Sequence, residues 1–247
     1  MAVFAFVQVR MSSSRLPGKV LKPICGKPML EQLLLRLKLS QAIDDIVVLT
    51  STDRSDDCIE EFCRIIGQAC FRGDLDNVLD RFYQASLVYE PDHIVRITGD
   101  CPLIDWGVVD HVVRQHTSSD CDYTSNTLTP TYPDGLDVEV FTQDCLKKMH
   151  IDAKKDIEKE HVTYYCYQHP DEFKVQNVSN PLGDFSNERW TVDTEEDFSL
   201  VTKIFENLYP KKPQFTFDDI VQMIKNNHAV FSINRHLKRN EGLNKGE

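Results

Sequence analysis

The chain is predicted to be an α/β protein with a mostly parallel central sheet and helices on both faces. Short β-rich apolar runs alternate with segments of helical periodicity through the first half. Polar, conformationally permissive motifs follow the ends of three of those runs. With 247 residues and no linker, repeat or low-complexity tract, the chain can bury a large core without an evident domain break.

The elements follow in order. Val3 to Val9 is an apolar β-rich run of the kind buried in sheets. Leu30, Leu33, Leu34 and Leu37 recur at helical spacing after Pro28. Ile46 to Thr50 is the next strand and ends in Thr50-Ser51-Thr52. Ser55 is expected to cap a helix with Ile59, Phe62 and Ile66 on its face, and Asp56 and Asp57 suit its dipole. Ala69 to Phe71 is a short strand. Val78, Leu79, Phe82 and Ala85 mark another helical face. His93 to Thr98 is a strand that stops at Gly99-Asp100-Cys101-Pro102, and Asp105 caps a helix running to about His116. Right-handed connections then place ligands beyond the carboxyl ends of the strands.

The second half has a different texture. Tyr132 to Phe141 combines a turn with an alternating strand, so Asp137 and Glu139 share one face and Val138 and Val140 the other. That acidic row can bind the hydroxyls of a polar substrate or form the wet face of an antiparallel strand. Asp156 to Gln168 is expected as one helix, with Glu160-His161 near its start. Trp190-Thr191-Val192-Asp193 leads into a helix whose Thr194 and Asp197 match a capping box. Asp193 stands just before that cap.

Charge gives the first functional inference. The formal net charge is −11, yet the first thirty residues contain no acid. Arg10, Arg15 and Lys19 lie on one Ser/Gly/Pro-rich turn directly after the first strand, with Lys22 and Lys27 beyond. Such a loop can hold a small polyanion through guanidinium pairs and backbone N–H groups, or can be a solvated basic loop beside an acidic surface. The overall negative charge argues against a nucleic-acid coat and against an anionic membrane surface. No stretch has membrane-spanning length, and the N-terminal run lacks the form of a signal peptide, so a cytoplasmic protein is expected. The eight cysteines form no C-x-x-C and no zinc set, which suits reduced thiols. Cys101 stands out for its neighbours.

The loop after the first strand, Thr50 to Thr52, and Gly99-Asp100 should open onto one sheet edge. A basic loop and a carboxylate meeting there look like a phosphate-plus-cation site. Mg²⁺ takes one or two protein carboxylates, with phosphate and water completing the shell. Asp100 suits that role, although an Asp in a strand-to-turn corner is also ordinary. No P-loop, no dinucleotide G-x-G-x-x-G and no G-x-S-x-G occurs.

Gln8-x-Arg10-x-x-Ser13-x-Arg15-Leu16-Pro17-Gly18-Lys19 resembles the signature loop of the sugar-acid cytidylyltransferases. These make CMP-activated 3-deoxy-manno-octulosonate and acylneuraminates. The nearest branch is the group named after the spore-coat polysaccharide biosynthesis protein F. Arg72-Gly73-Asp74, Val78-Leu79-Asp80-Arg81, Thr98-Gly99-Asp100, Pro133-Asp134-Gly135, Glu160-His161 and Val192-Asp193-Thr194 support the resemblance, which covers roughly residues 3 to 205. The sequence departs from the commoner pattern at Val9, where Ala is usual, and at Glu195, where Pro often stands.

The resemblance implies a three-layer nucleotidyltransferase fold, Rossmann-like and similar to glycosyltransferase A. It implies one domain over residues 1–238, with a nucleotide-binding half (1–125), an acceptor-binding and dimerisation half (126–238) and a polar tail (239–247). Arg10 and Lys19 would grip the triphosphate, with Arg15, Gln8 and Gly99 nearby, and Thr50 and Arg81 would seat base or ribose. Asp100 and Asp193 would bind Mg²⁺. Asp134, Asp137, Glu139, Glu160 and His161 would face the acceptor. The implied partners are CTP and a small sugar-acid-like acceptor, in a homodimer. The implied chemistry is in-line attack by an acceptor oxygen on the α-phosphorus of CTP, with Arg10, Lys19 and Asp100 as catalytic groups. A nucleotide-sugar glycosyltransferase and a catalytically silent homologue stay open as alternatives. Against the first, the corner reads Gly99-Asp100-Cys101 and not Asp-x-Asp.

Overall fold

A computed structural model describes residues 1–227, 230–237 and 239. The expected tail 239–247 lies outside them except for Arg239. β1 (Val3–Gln8) leads through the basic loop to a small hairpin, β2 (Pro23–Ile24) with β3 (Lys27–Pro28), and to α1 (Met29–Leu37). Then come β4 (Asp45–Ser51), α2 (Asp57–Ile65), β5 (Cys70–Gly73), α3 (Val78–Tyr89), β6 (His93–Thr98) and α4 (Trp106–Thr117). The second half adds β7 (Tyr123–Ser125), β8 (Glu139–Thr142), α5 (Gln143–Asp152), α6 (Asp156–Glu160), α7 (Tyr164–Gln168) and β9 (Val175–Asn177). α8 (Glu195–Leu208) and α9 (Phe217–Asn226) follow, and a 3₁₀ turn at Val230–Ser232 comes last among the described elements.

Seven strands form one sheet in the order β5-β4-β1-β6-β8-β7-β9. The pairs β5–β4, β4–β1, β1–β6 and β7–β9 are parallel, and β8 runs antiparallel to both neighbours. Period-two alternation sends the side chains into two cores. Ala5 and Val7 of β1, Val48 of β4 and Val95 and Ile97 of β6 face the core under α1, α4, α8 and α9. Phe6, Val47, Leu49 and Ile94 face the core under α3, α5 and α7. This is the expected three-layer architecture.

Two local expectations are corrected. Ser55 is not the helix cap: Asp53 caps a short 3₁₀ turn by accepting from the Ser55 N–H, and α2 begins only at Asp57. Asp56 lies fully buried and binds the loop after β1, as described below. The expected helix Asp156–Gln168 is two short helices, broken where His161 takes an extended conformation (φ −102°, ψ 91°). The break turns His161 toward the site.

The opposite sheet edge carries a polar pair of its own. His116, at the end of α4, meets His93 Nδ1 at 3.0 Å and Thr124 Oγ1 at 2.9 Å. Burial first, and His93 second, push the His116 pKa down to about 4. A base with a depressed folded pKa contributes stability that is complete above its ordinary value of 6.5 and is lost as pH falls toward 4. Unfolding by urea at stepped pH should therefore show a loss of up to about 3 kcal/mol across that window. The loss should be absent from His116→Asn.

Candidate active site

β1 and β6 are neighbours, but the chain leaves them in opposite directions across the sheet. Ligands of open α/β sheets bind in the crevice at such a point. The loop from Arg10 to Lys19 follows β1 and Gly99-Asp100 follows β6. Thr50 to Thr52 also opens on this edge, but Thr50 is fully buried and does not line the cavity there.

The basic loop is held by packing and by one carboxylate. Leu16 and Val20 peg it into the core. Asp56 accepts from the Met11 N–H at 2.7 Å and from the Ser51 N–H and hydroxyl at 3.1 and 2.5 Å, tying the loop to the end of β4. The Gly18 N–H closes it onto the Met11 carbonyl at 2.9 Å. The ends of β1 and β6 approach closely because residue 99 has no side chain. A Cβ on Gly99 would sit 2.2 Å from Val9 Cγ1, and the Gly99 N–H donates to the Gln8 carbonyl at 2.8 Å.

Asp193 reaches the same place from far along the chain. The Val192 N–H donates to the Asp100 carbonyl at 2.8 Å, which lays residues 190–193 beside the end of β6. Thr194 and Asp197 form the expected capping box of α8, so Asp193 is not needed to start that helix. Lys19 Nζ joins the two acids: it lies 3.2 Å from Asp100 Oδ2, 2.9 Å from Asp193 Oδ1 and 2.7 Å from the Val192 carbonyl. Burial alone would push the Asp100 carboxyl up, but the Lys19 ammonium overrides it and holds the pKa at about 2. Burial also works against the charge on Lys19, and the two carboxylates keep its pKa above the ordinary value. Arg15 Nη2 is 2.8 Å from Asp193 Oδ2.

Two cavities meet at this cluster. The first, of about 680 Å³, is lined by Gln8, Arg10, Arg15, Lys19, Arg81, Gly99, Asp100, Glu160, His161 and Asp193, among others. Arg81 is buried there and donates to the Asp74 and Leu75 carbonyls, shaping the loop before α3. The second, of about 580 Å³, contains Asp134, Asp137 and Glu139. It shares Arg15, Thr98, Asp100, His161 and Asp193 with the first. Glu160 is exposed and lines only the first cavity, whereas His161 belongs to both.

The acidic row is not a wet face. Glu139 is buried, pairs with Arg96 and accepts from the Tyr123 and Thr163 hydroxyls, each at 2.6 Å. Arg96 in turn donates to Gln8 Oε1 at 3.2 Å, linking the two cavities. Asp137 pairs with Arg239 at 2.5 Å and Asp134 with Arg189 at 2.6 Å. Gly135, at φ +108°, lets this segment dock: a Cβ there would fall 2.5 Å from the Thr191 nitrogen. Sequence reasoning gave Arg96, Arg189 and Arg239 no role: the partners of Arg96 and Arg239 are distant along the chain, and Arg189 is tied to Asp134 from 55 residues away.

The donor set suits a divalent cation. Asp100 and Asp193 both contact one ammonium and face one cavity. No cluster of three or more His, Cys, Asp or Glu side chains among the described residues could hold a metal. Two carboxylates completed by phosphate oxygens and water are the usual Mg²⁺ arrangement.

Comparison with known proteins identifies the family and the fold. The family model described as cytidylyltransferase matches residues 4–238. The spore coat polysaccharide biosynthesis protein SpsF of Bacillus subtilis is 31% identical over 91% of this chain and 95% of its own. A solved cytidylyltransferase from Leptospira borgpetersenii is 33% identical and superposes with a TM-score of 0.89, covering 94% of this chain and 97% of that one. CMP:2-keto-3-deoxy-manno-octonic acid synthetase, solved with CTP, shares the fold at 16% identity, with a TM-score of 0.63 over 84% of this chain and 99% of that one. With the match running from β1 to beyond α9, the chain belongs to the cytidylyltransferase family and is a nucleotidyltransferase.

Proposed function

We propose that the protein transfers CMP from CTP to a hydroxyl of a sugar acid or related acceptor, with Mg²⁺, and releases pyrophosphate. It would act as a cytoplasmic homodimer in the making of a surface polysaccharide or glycoconjugate. The observation that carries this reading is the cluster of Lys19 with Asp100 and Asp193, the two acids lining both cavities and Lys19 the first. One cavity has room and cations for a nucleoside triphosphate, and the other for a polar acceptor. SpsF, a spore coat polysaccharide biosynthesis protein, supports the pathway class, and the synthetase solved with CTP supports the nucleotide.

The residues divide the work. Arg10, Arg15 and Lys19 would bind the phosphates, and Gln8 and Arg81 the nucleoside side. Asp100 and Asp193 would hold Mg²⁺, which supplies charge neutralisation on the phosphates. The acceptor would lie against Asp134, Asp137 and Glu139, with Glu160 at the rim. Its hydroxyl attacks the α-phosphorus in line, the bond to the bridging oxygen breaks, and pyrophosphate leaves. Burial holds the His161 pKa below its ordinary value. A neutral imidazole on both cavities can take the hydroxyl proton. Most of the rate enhancement comes from positioning and charge compensation.

CTP with Mg²⁺ at about 100 times its Kd should raise Tm by about 5–10 °C, since a ligand that binds only the folded state stabilises it. ATP, GTP and UTP should do less. Equal shifts from ATP and CTP would remove the cytidylyl assignment. A pyrophosphate-release screen of CTP against sugar acids then identifies the acceptor.

A further inference from the structure

Among the described residues three cations touch Asp193, and they differ in how firmly they are held. Lys19 and Arg15 belong to the loop that faces the nucleotide cavity. Arg189 belongs to the scaffold. It is buried, and among the described residues its guanidinium reaches three carboxylates: Nε to Asp197 Oδ1 at 3.1 Å, Nη1 to Asp134 Oδ2 at 2.6 Å, and Nη2 to Asp193 Oδ2 at 2.8 Å. Asp197 is itself immobilised. It is fully buried, accepts from the Asp193 and Thr194 N–H groups at 3.0 and 3.1 Å, and is bonded to Asn234 Nδ2 at 2.7 Å.

We infer that Arg189 is a positioning residue that fixes Asp193 for metal binding while Lys19 and Arg15 are engaged with the triphosphate. The inference rests on the proposed shared site of Asp100 and Asp193. Its physical basis is a division of oxygens. Arg189 holds Asp193 Oδ2, so Oδ1, now facing Lys19, stays directed at the cavity. A phosphate that draws Lys19 away leaves Oδ1 for a cation without releasing the carboxylate to rotate. The planar fork is required, because a lysine ammonium cannot span three carboxylates in fixed directions. The same fork ties the metal side to Asp134, which lines the second cavity. Partners that orient a metal ligand typically change metal affinity by about 10- to 100-fold when removed.

The test is Mn²⁺ binding read by electron paramagnetic resonance, with CTP present and no acceptor, on wild type, Asp193→Asn, Arg189→Gln and Arg189→Lys. Arg189→Gln and Arg189→Lys should each bind Mn²⁺ at least about 10-fold more weakly, while CTP affinity in EDTA stays within about two-fold of wild type. In turnover, the Mg²⁺ requirement should rise more than the KM for CTP. Wild-type Mn²⁺ affinity in folded Arg189 variants, with affinity lost in Asp193→Asn, would overturn the positioning role and leave the metal site standing. Unchanged affinity in Asp193→Asn would instead remove the metal site itself. If Arg189→Gln fails to fold, Arg189→Lys keeps a charge among the buried carboxylates, and the same affinity threshold decides.

Discussion

Lys19→Ala is expected to lower kcat/KM by about two to three decades, the usual loss for one electrostatic donor at a site of developing charge. That corresponds to about 3–4 kcal/mol of transition-state stabilisation. The fold should survive, because Leu16, Val20 and Asp56 anchor the loop independently. Two further signs distinguish this from general damage. The ammonium between Asp100 and Asp193 competes with a cation, so its removal should strengthen Mn²⁺ binding in the absence of nucleotide while turnover falls. Stability should also change its pH dependence. With Lys19 present, Asp100 has a depressed pKa of about 2, and it contributes stability above its ordinary value of 3.8 that is lost as pH falls toward 2. Without Lys19, two facing carboxylates raise one pKa, and that contribution disappears. Thermal unfolding of Lys19→Ala without metal should therefore show its deficit above about pH 4, and Mg²⁺ should reduce it. Near-normal turnover in a folded Lys19→Ala protein would reduce the loop to a solvated basic surface.

Asp100→Asn and Asp193→Asn should each lower activity by about three decades, since a metal at phosphoryl oxygens contributes several kcal/mol. The double variant should lose little beyond the worse single one, as residues acting as a unit do. Asp193→Asn separates the site from the cap. Thr194 and Asp197 provide the capping box, so α8 should keep its stability while activity collapses. Calorimetry beside a Mg²⁺ titration of turnover reads both. Full activity in Asp193→Asn, or strictly additive losses, would show that the two acids do not serve one cation.

The strand that carries each motif was legible because buried strands announce themselves by apolar, β-rich runs. Hence β1, β4 and β6 lie close to their expected bounds, and the loop and Gly99-Asp100 could be named as candidates, while Asp193 came from the family resemblance. The loop and Asp100 were expected on one sheet edge, but the arrival of Asp193 beside them was not legible from spacing, since it depends on the Val192-to-Asp100 hydrogen bond between segments far apart in the chain. Asp56 was assigned to a helix dipole because the first-turn rule is local, whereas its partner Met11 is brought to it by sheet order. The split between α6 and α7 was missed for the same reason. The segment His161 to Thr163 departs from a helix where Thr163 bonds to Glu139 across the cavity. Arg189 had one available signal, its spacing of four from Asp193 and eight from Asp197, but spacing alone does not separate such an arginine from a solvated one.

β6 is hydrogen-bonded to β1 on one side and to β8 on the other. The floor under both cavities is thus a single pleated surface, with neighbouring strands set about 4.8 Å apart. In the proposed reaction it would act as a ruler: the distance from the transferred phosphorus to the attacking oxygen would be built into the sheet and not set by closure of two lobes. Small-angle scattering should accordingly give nearly the same radius of gyration with and without CTP. For engineering, the acceptor preference is best altered at Thr127, Leu128, Asp137 and Tyr167, which line the second cavity from outside the strands of the ruler. In this reading, an acceptor whose hydroxyl falls short of the mark would need a different floor.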